Sequence, residues 1–124
     1  MEFVFNLDSM SLQGSRAQVR IPAGIRTKKE LLEALDVGLG FPDYFGGNWD
    51  ALWECICDLS WIRPAQVIVV HEDLPMQSDQ ASLKTYLSIL SDAIAYWNDR
   101  TEHDLVVAFP RESEATVRTL MSEA

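Results

Sequence analysis

Residues 41–59 read Phe41-Pro42-Asp43-Tyr44-Phe45-Gly46-Gly47-Asn48-Trp49-Asp50-Ala51-Leu52-Trp53-Glu54-Cys55-Ile56-Cys57-Asp58-Leu59. The stretch describes a loop that feeds a short helix. Pro42 and the Gly46-Gly47 pair interrupt regular structure, and Asn48 suits an N-cap because its side-chain oxygen can accept a free backbone N–H of the first turn. The helix is expected to begin near Trp49. At 3.6 residues per turn, Ala51, Leu52, Cys55, Ile56 and Leu59 share one side, while Asp50, Trp53, Glu54 and Cys57 share the other.

The apolar side is core, but the second side is unusual. It carries a tryptophan between two acids and follows two loop aromatics, Tyr44 and Phe45. Asp50, Glu54 and Asp58 stand at i, i+4 and i+8, where like charges destabilise a helix by roughly 0.2–0.5 kcal/mol per pair. Asp50 offsets part of that through the helix dipole, because it lies in the first turn; Glu54 and Asp58 lie too far along. Two readings fit. One is a solvated acidic face with a partly buried Trp53, and the other is an aromatic and acidic contact surface for a cationic partner.

The run Pro42-Asp43-Tyr44-Phe45-Gly46-Gly47-Asn48-Trp49-Asp50-Ala51-Leu52-Trp53-Glu54-Cys55 resembles the signature of the barstar family, intracellular protein inhibitors of guanyl-specific ribonucleases. Outside it, the resemblance is one of element order, from about Ala17 to Phe109. It implies a small three-stranded parallel sheet packed by helices. It also implies a function, in which this loop and helix enter a ribonuclease active site and block it. The matched partner-binding positions are Tyr44, Phe45, Gly46, Asn48, Asp50, Trp53 and Glu54. The partner implied is a basic ribonuclease, with no cofactor, metal or catalytic residue on this chain. Phe45 and Glu54 stand where the family usually has Tyr and Asp, and Gly47 replaces a residue that is often acidic or polar. These departures suit a member retuned to a different nuclease or to the ribonuclease domain of a toxin.

The flanking sequence reads as alternating strands and helices. Upstream, residues 17–21 alternate Val19 and Ile21 with Gln18 and Arg20 and stop at Pro22, as a strand does. Thr27 and Glu30 form a capping-box pattern for a helix from about Lys28 to Val37 that ends at Gly38, and Ile25 is placed to staple onto Leu31 or Leu32. Downstream, residues 66–70 are nearly all β-branched and read as a strand buried on both faces. Leu83, Tyr86, Leu87, Leu90, Ile94 and Trp97 recur at helical spacing over about 79–98, with Ser78 as a candidate cap. Residues 105–109 form another buried strand before Pro110, and 113–121 have the composition of a short terminal helix. Strands alternating with helices imply parallel pairing, hence an α/β fold. Residues 2–7 alternate Phe3 and Phe5 with smaller or polar residues, which predicts an extra edge strand, placed antiparallel against residues 17–21.

A chain of 124 residues with 48% apolar content predicts one domain over 1–124. The sequence has neither a charged-then-apolar leader nor an apolar run near membrane-spanning length, so a cytoplasmic protein is expected. Cys55 and Cys57, its only cysteines, lie two apart on one helix and are expected to stay reduced. The net charge is −9. Residues 31–79 hold nine acids against the single base Arg63. A field of that sign repels nucleic acid and anionic membranes and attracts basic proteins. Two other functional classes fit the sequence. One is a binding module of the same surface for a non-nuclease partner. The other is a small enzyme using His71, Glu72 and Asp73, which follow a predicted parallel strand where α/β sites commonly lie.

Overall fold

The computed structural model describes residues 3–6, 15–43 and 45–122. Along them run β1 (Arg16–Ile21), α1 (Lys28–Leu39), α2 (Trp49–Ile56), β2 (Gln66–His71), α3 (Gln80–Asn98), β3 (Asp104–Ala108) and α4 (Glu114–Ser122). The three strands form a parallel sheet in the order β1-β2-β3. In its register Val19 lies opposite Val69, and Val69 opposite Val107. Parallel neighbours need long crossovers, and the helices supply them. The central strand is apolar on both faces. Val67 and Val69 join the main core beneath the helices, while Ile68 and Val70 join Val106 and Val4 on the other side. The α/β fold with three parallel strands is thus the one the sequence pattern predicts. Among the described residues no helix is long and apolar enough to cross a membrane.

Local chemistry explains the helix ends. Thr27 caps α1, accepting the Glu30 N–H at 3.1 Å, while the Glu30 carboxylate accepts the Thr27 hydroxyl at 3.1 Å and the Arg26 N–H at 3.3 Å. The helix does not stop at Gly38 as its composition suggests; it continues to Leu39 and closes on Gly40, which adopts φ 63°. Gly38 serves packing instead. A Cβ there would lie 2.0 Å from Val19 Cγ2, so the glycine lets α1 approach β1. Helix α3 is capped by Asp79 rather than Ser78. Hydrogen bonds from the Ser82 hydroxyl and N–H hold the Asp79 carboxyl below its usual range. Helix α4 follows a short 3₁₀ turn, Arg111–Ser113.

The N-terminal expectation needs correction. Residues 3–6 do not pair antiparallel with β1. Val4 makes a parallel bridge to Ala108 at the other edge, donating its N–H to Val107 O at 2.9 Å and accepting from Phe109 N at 2.8 Å. Aromatic packing sets this choice, because Phe3 and Phe5 both meet Phe109, with ring centroids 5.4 and 6.4 Å apart. Alternation identified the apolar residues without identifying their partner. Glu2 and Leu7, the ends of that predicted strand, lie outside the described residues.

Candidate partner-binding face

Helix α2 begins at Trp49, and Asn48 Oδ1 accepts the Ala51 N–H at 2.8 Å. Leu52, Cys55 and Ile56 are fully buried. The helix is shorter than its apolar spacing predicts. It ends at Ile56, whose carbonyl accepts the Trp97 indole N–H at 2.8 Å, and Leu59 turns into the left-handed region at φ 50°. That turn still delivers the Leu59 side chain to the core, where it is fully buried. His103 holds the same connection, its ring nitrogens facing the carbonyl oxygens of Leu59 at 3.0 Å and Ala65 at 3.3 Å.

With its inner side fixed, α2 presents Asp50, Trp53 and Glu54 outward. All three are exposed, and Trp53 at 38% is among the few exposed large apolar side chains of the described residues. Asp50 and Glu54 form no ion pair among the described residues. Trp53 rests edge-on against Tyr96 of α3, with centroids 6.4 Å apart. Sequence reasoning overlooked Tyr96 because it lies one residue off the apolar stripe of α3. Trp49 takes a different part: it is partly buried, stacks on Tyr86 at 6.3 Å and lies 5.3 Å beneath Lys28 Nζ.

The loop residues divide. Phe45 is partly buried against Phe41, with centroids 4.8 Å apart, whereas Gly46 is exposed. Across a groove of about 700 Å³ they face Lys29, Glu33 and Asp36 of α1. Gly47 adopts φ 69°, a conformation that favours glycine, and so turns the chain into the Asn48 cap. Tyr44 lies outside the described residues.

The rival constellation at the end of β2 is assembled differently. His71 is buried, with Nδ1 2.8 Å from Ala108 O and Nε2 2.7 Å from the Tyr86 hydroxyl. A carbonyl only accepts, so Nδ1 carries the proton and Tyr86 donates to Nε2. Burial lowers the His71 pKa to about 4 and raises that of Tyr86. The ring also stacks on Phe109 at 4.1 Å. Asp73 Oδ2 accepts the Gly24 N–H at 3.3 Å, and Glu72 is exposed. Among the described residues no group of three or more His, Cys, Asp or Glu side chains could hold a metal ion. Cys55 and Cys57 are free thiols.

A family model described as Barstar (barnase inhibitor) matches residues 17–109, which include the whole of α1, α2 and α3. A search of curated proteins found no match.

Proposed function

The chain belongs to the barstar family, and on that premise we propose that it inhibits a small basic ribonuclease, guanyl-specific or the ribonuclease domain of a toxin, in the cytoplasm. The observation that carries the reading is the outer face of α2: Asp50, Trp53 and Glu54 are exposed together on a helix whose opposite side buries Leu52, Cys55 and Ile56 completely. A ribonuclease site uses Arg, Lys and His to hold phosphates, and carboxylates can satisfy the same cations through charge-assisted hydrogen bonds. Trp53 then excludes water around those contacts. By resemblance to the family, Tyr44, Phe45 and Gly46 of the preceding loop join that contact, and Asn48 keeps the helix start in place. Inhibition by occlusion asks no chemistry of His71, Glu72 or Asp73.

Titration of the purified protein into activity assays of several small basic ribonucleases, barnase among them, tests the proposal. Stoichiometric loss of activity in at least one is expected, with an association rate that falls steeply as salt screens the acidic field. Full activity of every nuclease at micromolar inhibitor would overturn it. An inhibitory complex whose association is insensitive to salt would contradict the electrostatic part.

A further inference from the structure

We propose that Arg100, laid on the Tyr96 ring beside Trp53, is a specificity-determining contact of the same face and receives a carboxylate of the ribonuclease. The inference rests on the inhibitor reading above and adds a contact of opposite sign. Its guanidinium carbon lies 3.6 Å from the Tyr96 ring centroid, and Nη1 donates to the Tyr96 carbonyl at 2.8 Å. Tyr96 in turn touches Trp53. The cation is therefore positioned before any partner arrives, so less side-chain freedom remains to be lost on binding.

Arg100 is exposed and keeps unused N–H donors, because a guanidinium has five. No carboxylate of the described residues pairs with it. Glu102, close in sequence, accepts the Thr101 N–H instead. The Arg100 charge also reaches α2. Burial pushes the Cys57 thiol up to about 11, with Arg100 opposing that rise and Asp92 adding to it. Cys57 lies three residues beyond Glu54, so this end of the face carries a cation as well as acids. Asp50 and Glu54 stand on α2 itself, exposed Asp58 follows just beyond its end, and a fixed cation stands near Cys57 there.

Charge complementarity then selects the occupant. A nuclease carrying a lysine or arginine opposite Arg100 is disfavoured, whereas one carrying Asp or Glu there gains a planar, bidentate partner. Acids on α2 admit basic nucleases as a class, and Arg100 chooses among them.

The test takes the wild-type protein and Arg100→Ala, Arg100→Lys and Arg100→Glu into the same panel of ribonucleases, with melting temperatures measured in parallel. For a nuclease that the wild type inhibits, Arg100→Ala should weaken inhibition about fivefold. Arg100→Lys should fall between the two. Arg100→Glu should weaken it on the order of 10–100-fold, because like charges then meet. Changing one Asp or Glu of that nuclease to Lys should restore inhibition by Arg100→Glu while harming the wild type, a reciprocity that a merely structural role would not produce. Equal inhibition by all four proteins would overturn this inference and leave the inhibitor reading standing. Loss without rescue by any such partner substitution would also overturn it. Failure of the wild type to inhibit any nuclease would instead remove the inhibitor reading, and this inference with it.

Discussion

The outer face of α2 and the end of β2 carry similar raw material, acids beside an aromatic or imidazole ring, yet the fold treats them in opposite ways. At the end of β2, His71 is buried and both ring nitrogens are bonded within the chain. On α2, Asp50 and Glu54 stand in solvent without an ion pair among the described residues. A buried polar group must be satisfied internally, because leaving it unpaired costs about 1–3 kcal/mol. An exposed one keeps its bonding capacity for a partner. Residue type alone does not separate site from scaffold; what the side chain is already bonded to does.

Substitutions should divide along the same line, and the largest loss of stability is expected at His71. His71→Ala removes a stacked ring and leaves the Tyr86 hydroxyl and Ala108 carbonyl without that partner, so it should cost about 3–5 kcal/mol in chemical denaturation. An unchanged midpoint would show that the ring is not a structural support. Acid should produce a nearly equal effect. The folded pKa of about 4 lies below the ordinary value of 6.5. The unfolded chain therefore binds the proton first, and stability present above pH 6.5 is lost as pH falls through about 4. For a group this buried the loss is on the order of 3 kcal/mol. Unfolding measured from pH 7 to pH 4 should show this slope, and it should be clearly shallower in His71→Phe, the remainder coming from carboxylates such as Asp79; an identical slope in the variant would assign it elsewhere. Asn48→Ala should act more weakly, costing about 1 kcal/mol as a lost helix cap. Because Asn48 orients the first turn that carries Asp50, its effect on partner affinity should appear together with the stability loss. A change in affinity at unaltered stability would mean that Asn48 touches the partner directly.

Much of the fold was legible because its cues are local and periodic. The β-branched run at 66–70 and the apolar spacing over 79–98 each have one consistent reading, and the alternation in 17–21 needed only a parallel neighbour. The misreadings came where a distant group decides the matter. Gly38 looks like a helix stop until Val19 is packed against it, and Gly40 is the residue that closes α1. Leu59 fits a helical stripe, but the Trp97 indole ends α2 at Ile56. Phe3 and Phe5 found Phe109 rather than β1. At the candidate site, the spacing showed which residues share the outer face of α2. It did not show that Tyr96 and Arg100, more than forty residues later, adjoin Trp53, because tertiary contacts between helices leave no periodic mark.

The central claim is that the acids on the outer face of α2 serve binding rather than folding, and Glu54→Ala tests it most directly. Two numbers are needed from the same variant: its unfolding free energy, and its affinity for a ribonuclease that the wild type inhibits. Because α2 ends at Ile56, Asp58 lies beyond the helix and Glu54 faces one like charge at helical spacing, Asp50. Removing Glu54 should raise stability by a few tenths of a kcal/mol, and leaving a partner cation buried and unpaired should weaken binding by about 2–5 kcal/mol. Unchanged affinity, or a clear loss of stability, would contradict the account.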